Sequence, residues 1–502
     1  SILEGGEAST AGSFEWMDSL ALPNSVKALG DSVFYNCNNL AFAQLSNTLS
    51  TIGNAAFDRC NSLPEIFIPK SVSSIGQGVF RKCSSLSVVG FEDGASPLSL
   101  GRDSVNKGLF YDCPLETLYI GRTLSYNTDY GYSPFYGKSK LKDVTFGDNF
   151  TAVGSYLFYL CSGLTSIELP DSVTTIGERA FYDCSSLVSV SIGNGVTSIG
   201  NCAFYGCSSL ASIEIPDAVT SIGNDAFNGC TSLASVSIGN GVTSIGYSAF
   251  KGCSALASIT IPNSVATIGT DVFRNCTALA SVSIGSGVES IGNYAFNGCT
   301  ALKDLRFEDG EGTLSLGTSS QGLFDDSPLE SLYLGRNLSY SSSSSYSPFY
   351  SRTALTSLTI GDKVTSIGDY LFYGCNNLAE VMVPSNVASI GTQAFYNCKS
   401  LQSVINFSGL EFIAGATTHG YIAYYVDKLI NAPGGSIEGD FVFAVLDGVN
   451  TLIKYNYSGG YIGDKIELDA WTSTNTAHSS NSSETYTLDV KSGMVLAFDW
   501  KV

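Results

Sequence analysis

The amino-acid sequence predicts an α/β repeat solenoid, mainly of parallel strands wound into a right-handed coil, and three observations predict it. A phenylalanine returns at a fixed interval, two short segments of each interval carry strand patterning, and proline or glycine stands at the corners between them. Phe158, Phe181, Phe204, Phe227, Phe250, Phe273 and Phe296 are each 23 residues apart. The register extends through Phe34, Phe57, Phe80, Phe110 and Phe135 on one side and Phe324, Phe349, Phe372 and Phe395 on the other, which makes 16 units. Self-similarity at a fixed period marks an array of units that each contact only their neighbours.

Each element of a unit has a local reason. Leu210, Ile213 and Ile215 set an apolar face, and side chains two apart point to the same side of a strand. Pro216 makes a corner, and Val219 with Ile222 reads as a second, shorter strand that Gly223 closes. The piece from Ala226 through Phe227 to Cys230 is too brief for a full helix and suits a helical or 3₁₀ turn. A single unit buries too few side chains to offset the backbone entropy of its own length. Stacking completes each unit's core and strand ladder, so the array folds where one unit cannot.

The repeated phrase Leu-x-x-Ile-x-Ile-Pro-x-x-Val-Thr-Ser-Ile-Gly-x-x-Ala-Phe-x-x-Cys resembles the BspA-like family of bacterial leucine-rich repeats, over residues 20–404. The resemblance implies a leucine-rich-repeat coil and a cell-surface or secreted protein of bacteria. Adhesion to host proteins or to other cells, attributed to some members, is what it implies about activity.

Composition narrows the function classes independently. Hydrophobic residues make up 44% and charged residues 14%, which suits a large core under a Ser-, Thr-, Asn- and Gly-rich surface. With 25 basic against 45 acidic residues the net charge of −20 disfavours nucleic acid and anionic membranes as partners. No apolar run is long enough for a transmembrane helix, and residues 1–6 do not read as a signal peptide. The two histidines, His419 and His478, leave most of the chain without the usual base or metal ligand. Nucleophile-elbow, phosphate-loop, zinc-protease and calcium-loop motifs are all missing from the sequence. The expectation is a non-enzymatic monomer with no cofactor and no metal.

Thirteen of the 14 cysteines hold one repeat position, from Cys37 to Cys398, with Lys138, Ser327 and Arg352 replacing it in three units. Parallel side chains in a stacked column do not meet disulfide torsions, so these read as buried, reduced thiols behaving as small apolar groups. Cys202 falls outside the column, at a variable and more exposed place.

The spacing stretches twice in the same order, from Phe80 through Phe110 to Phe135 and from Phe296 through Phe324 to Phe349. These stretches are copies: Phe91-Glu92-Asp93-Gly94 recurs as Phe307-Glu308-Asp309-Gly310, and the run Leu118 to Arg122 as Leu332 to Arg336. Each ends in a Tyr/Ser-rich loop. Tyr119, Arg122, Tyr126, Tyr130, Tyr132 and Tyr136, with Tyr333, Arg336, Tyr340, Tyr346 and Tyr350, therefore form two expected ligand patches, since Tyr and Arg favour binding hot spots and Tyr/Ser loops adapt to partners. The other reading is that the tyrosines cover the edge of the coil where an insertion widens it. Between the modules the outward strand column is bland, carrying Glu168, Ser191, Glu214, Ser237, Thr260 and Ser283.

Residues 1–19 read as an N-terminal cap segment and 405–502 as a β-rich C-terminal segment or cap. Within the latter, Tyr421–Val426, Phe441–Val445 and Thr451–Tyr455 read as strands, Asp447-Gly448 as a hairpin turn and 472–485 as a linker. The apolar run Met494 to Val502 suggests that a further domain follows. The sequence thus points to a surface or secreted binding protein for an extracellular protein or glycan, with a spacer that displays another domain as the alternative.

Overall fold

Because the interval between units is constant, pairing strands one full repeat apart puts like residues of successive coils in contact. The computed structural model describes residues 16–101, 108–128, 133–317, 322–342 and 347–434, together with backbone strands between 436 and 500. Ser212, Ile213, Glu214 and Ile215 pair in parallel with Ser235, Val236, Ser237 and Ile238. On a second side Ser221 and Ile222 pair with Ser244 and Ile245. Ile213 and Ile215 turn inward while Ser212 and Glu214 face solvent, the alternation a half-buried strand requires.

The chain divides into two compact units, Ser1–Leu302 with Leu323–Ser327, and Lys303–Gly322 with Pro328–Val502. In the first, the short strands form one ladder from Ala28–Leu29 to Leu124–Ser125 and another from Ala152–Val153 to Ser290–Ile291. In the second, Leu314–Leu316 pairs with Leu338–Ser339, and Ser366–Ile367 with Ser389–Ile390. The ladder stops at the end of each duplicated module. There a polar side chain bridges the gap: Thr123 Oγ1 accepts the Thr151 N–H at 2.9 Å, and Asn337 Oδ1 accepts those of Thr365 and Ser366 at 2.9 and 3.1 Å.

The third side of each coil corrects the expected class, because the Ala-Phe-x-x-Cys pieces form turns and not helices. Cys202 and Gly206 take positive φ, 53° and 71°, which breaks helical continuation and aims backbone N–H groups along the stack. Cys202, Phe204 and Gly206 donate to the carbonyls of Asn224, Ala226 and Asn228 one coil on, each at 2.8 Å. Among the described residues the helical conformation is confined to a 3₁₀ turn at His419–Tyr421. The architecture is a parallel β-solenoid with almost no helix.

The core repeats with the backbone. Phe181, Phe204, Phe227 and Phe250 are fully buried, and successive rings stack at centroid distances of 5.1, 5.2 and 5.2 Å. All fourteen cysteines are free thiols, thirteen of them buried and Cys202 half-buried. The column does more than fill space. From Cys60 onward each thiol donates to the carbonyl of the phenylalanine that anchors the preceding coil, as Cys207 does to Phe181 at 3.1 Å and Cys230 to Phe204 at 3.2 Å. Where lysine replaces cysteine, Lys138 Nζ donates to the equivalent carbonyl, that of Phe110.

Parallel pairing runs beyond residue 404. Ser403–Asn406 pairs with Lys428–Asn431, and Phe395 N–H donates to Gly420 O at 2.8 Å, so one further coil follows the last phenylalanine anchor. Gly420 stands where earlier coils carry alanine, at φ 66°, and a Cβ there would press on Gly391 O and Ala394. Tyr421–Val426, expected as a strand, instead forms the turn of this coil, with Tyr421 at φ 67°. Beyond it, Ser436–Glu438, Phe441–Leu446, Val449–Asn456, Tyr461–Ser473, Glu484–Val490 and Val495–Trp500 make an antiparallel sheet in chain order. Asp447-Gly448 and 474–483 lie outside the described residues, and the two ends of the expected linker belong to strands.

Candidate functional site

The duplicated modules repeat in their contacts as well as in sequence. Tyr119 stands on the strand Thr117–Arg122 and donates its hydroxyl to Asp93 Oδ2 at 2.6 Å; Tyr333, on Ser331–Leu334, does the same to Asp309 Oδ1 at 2.8 Å. Gly147 and Gly361 lie beneath these pairs, and a Cβ at either would run into the aspartate. The hydrogen bond to Asp93 pushes the Tyr119 phenol up to about 12, and burial followed by Asp309 does so for Tyr333. The Arg306 guanidinium covers the Tyr333 ring, 3.7 Å from its centroid.

Tyr126 and Tyr340 occupy the Tyr/Ser loops. Their hydroxyls donate to the carbonyls of Ser155 and Asp369, each at 2.9 Å, passing over Gly154 and Gly368. Arg122 and Arg336 turn inward and are each 2% exposed. Arg122 donates to the Lys70 and Pro69 carbonyls at 3.0 and 3.1 Å, and Arg336 Nε to Gly312 O at 3.1 Å. Burial lowers the Arg122 pKa. These guanidiniums are structural ties to neighbouring coils, which leaves the half-buried Tyr119, Tyr126, Tyr333 and Tyr340 as the more exposed members of each module. Tyr130, Tyr132 and Tyr346 lie outside the described residues.

Tyr136 leads to a feature that reasoning from the loops missed. Its ring stacks on Tyr159 at 5.5 Å, Tyr159 on Tyr182 at 4.8 Å and Tyr182 on Tyr205 at 4.7 Å, with interplanar angles of 12°, 14° and 4°. The four rings line a groove of about 690 Å³ together with the polar side chains of Arg179, Asp225 and Asn228. Arg179 donates to Tyr156 Oη and, at 2.7 Å, to Glu178 Oε1, while Asn228 donates to Asp225 Oδ1 at 2.7 Å. Cys202 lies in the same groove, its thiol pushed up by burial. The second unit carries a counterpart: Tyr350 stacks on Tyr373 at 5.2 Å, and Tyr373 lies against Tyr396 at 5.1 Å with the rings tilted by 32°. The signal in the sequence was the repeated Phe-Tyr step, at 135–136, 158–159, 181–182 and 204–205, and again at 349–350, 372–373 and 395–396.

A coil of this period, with its buried Phe and Cys columns, defines a repeat protein of the solenoid class. The model of the BspA type leucine rich repeat region (6 copies) matches residues 12–133, 103–234, 220–348 and 343–417, and the chain belongs to that family. No functionally curated protein matches it. Among solved structures it is similar to a leucine-rich repeat protein from Bacteroides ovatus, at 24% identity over 77% of this chain and 86% of that one, with a TM-score of 0.46. A leucine rich repeat protein of T. pallidum is 37% identical over 33% of this chain and 78% of that one, TM-score 0.31. A leucine rich cell surface protein from Faecalibacterium prausnitzii is 23% identical over 82% and 91%, TM-score 0.31.

Proposed function

We propose that this chain is a non-enzymatic binding protein of the bacterial surface or its surroundings, adhering to extracellular protein or glycan ligands through its two tyrosine-bearing modules. The supporting observation is that one aromatic arrangement is built twice, once in each unit, with the same hydroxyl acceptors and the same glycines beneath. Tyr119, Tyr126 and Tyr136, with Tyr333, Tyr340 and Tyr350, are held in fixed orientations by those bonds and stacks, and pre-set aromatic side chains bind at low entropic cost. Arg122 and Arg336 serve by holding each module on its neighbouring coils.

The test is solid-phase binding of the purified chain to matrix proteins, cell surfaces and immobilised glycans. Saturable binding is expected, weakened about tenfold by Tyr119→Ser with Tyr333→Ser. A spacer is the second reading, favoured by the outward column Glu168, Ser191, Glu214 and Ser237, which offers no aromatic or arginine anchor. A chain that is only a spacer binds none of these surfaces.

A further inference from the structure

We propose that the groove along Tyr136, Tyr159, Tyr182 and Tyr205 is a binding site for a linear, neutral, β-1,4-linked glycan lying along the stack, one sugar per coil. This deepens the binding reading by naming a ligand class and a place.

The rings are positioned by the main chain and not by chance packing. Gly137 N–H donates to Tyr159 O at 2.8 Å, Leu160 N–H to Tyr182 O at 2.8 Å, and Asp183 N–H to Tyr205 O at 2.7 Å, so the residues flanking each ring are tied to the next coil. A row built this way is ordered before any ligand arrives, which removes much of the entropic cost of binding.

The groove repeats in the way a linear glycan does. Each ring's faces are turned to its stacking neighbours, so the row presents ring edges, one tyrosine per coil, to a chain that presents its hydroxyls once per sugar. The lining also carries planar hydrogen-bonding groups, Asp225, Asn228 and Arg179, suited to vicinal hydroxyls. Charge points to a neutral occupant. The Arg179 guanidinium is engaged by Glu178, and the chain's net charge of −20 opposes a polyanion. Asp225 is engaged by Asn228, which weakens the case for a polycation.

Repeat length selects the linkage. Successive rings are 5.5, 4.8 and 4.7 Å apart. An extended β-1,4 chain advances by about one sheet spacing, ~5 Å, per sugar, so it stays in phase with the coils. An α-1,6 chain is flexible and does not.

The experiment is calorimetric titration of the intact chain with cello-, manno- and xylo-oligosaccharides of increasing length, with α-1,6-linked isomalto-oligosaccharides as control. Affinity should climb with length until the row of four rings is covered and then level off, in at least one β-1,4 series. Tyr159→Asn with Tyr182→Asn should weaken it at least about tenfold. Asparagine already holds this repeat position at Asn228 and Asn297, so the fold is kept, and a single cooperative melting transition checks that. Equal binding of the control sugars, no gain with length, or full binding by the double variant would overturn the proposal. If none of the β-1,4 series binds while the chain still adheres to matrix proteins, the glycan site falls and the binding reading stands. If neither binds, both fall.

Discussion

Two stretches of the first unit solve the same stacking problem by different means. Between Phe158 and Cys299 each coil adds the same two strands, the same ring and the same thiol, and backbone bonds pass from coil to coil. Around Tyr119 and Tyr126 the spacing widens and the short-strand ladder stops at Ser125 and resumes at Ala152, while the strand Thr117–Arg122 still pairs with Val88–Phe91 and Asp143–Asn149, and polar side chains span the gap in the short ladder. Thr123 accepts a backbone N–H, Tyr126 donates to Ser155 O, and Arg122 reaches the carbonyls of Pro69 and Lys70. Regular coils are held by backbone pairing on every side, whereas at an insertion polar side chains matched to particular carbonyls are added to the pairing that remains.

The largest expected effect follows from the uniform stretch and its thiols. Burial pushes Cys161, Cys230 and Cys299 from 9.0 to about 12. Their contribution to stability is whole below pH 9, where both folded and unfolded chains keep the proton. Above it the unfolded chain binds fewer protons, so stability falls through to about pH 12, by ~1.4 kcal/mol per pH unit for each thiol. Melting curves across that range should fall steeply, and replacing all three by alanine should make the fall shallower by their share, since other buried thiols such as Cys184, Cys207 and Cys253 are pushed up as well. An equally steep fall in the triple variant would remove these three thiols from the account.

Next in size, Phe227→Ala should cost about 3–5 kcal/mol in urea unfolding, since it empties a fully buried site and breaks two ring stacks. Arg122→Met probes the other design. It leaves the Pro69 and Lys70 carbonyls without their guanidinium donor, at about 2–3 kcal/mol, although it keeps the apolar volume. A loss under about 0.5 kcal/mol would show that the module is not held by this residue. The smallest effects separate tyrosines by their role. Tyr126→Phe should cost about 1 kcal/mol through the bond to Ser155 O, whereas Tyr182→Phe should stay within about 0.5 kcal/mol because the ring stack survives.

Much of the scaffold could be read from the chain because it is written many times. A column of Phe at one interval forces one register, and the observed pairing of Ile213 with Val236 is that register. The extra coil through Lys428–Asn431 could not be read this way, since it carries neither the phenylalanine nor the cysteine, and its closure rests on Gly420 and on Asn406, whose amide donates to Leu410 O at 2.6 Å. The helical turn was overestimated for a related reason. Propensity speaks for a local turn, but positive φ at positions such as Cys202 is imposed by bonds to the neighbouring coil. In the modules the composition was informative and the direction was not: Arg122 looked like a surface anchor and is interior.

By itself the sequence determined the period, the register, the buried Phe and Cys columns and the family, because each follows from residue type at a repeated position. Only the tertiary structure decided which way Arg122 and Arg336 point, what the thiols donate to, and that tyrosines a full coil apart make a continuous row. The physical reason is distance along the chain. Phe and Cys columns declare themselves by identity, whereas a guanidinium's direction or a ring's neighbour depends on atoms one or two coils away, where stacking alone brings them together.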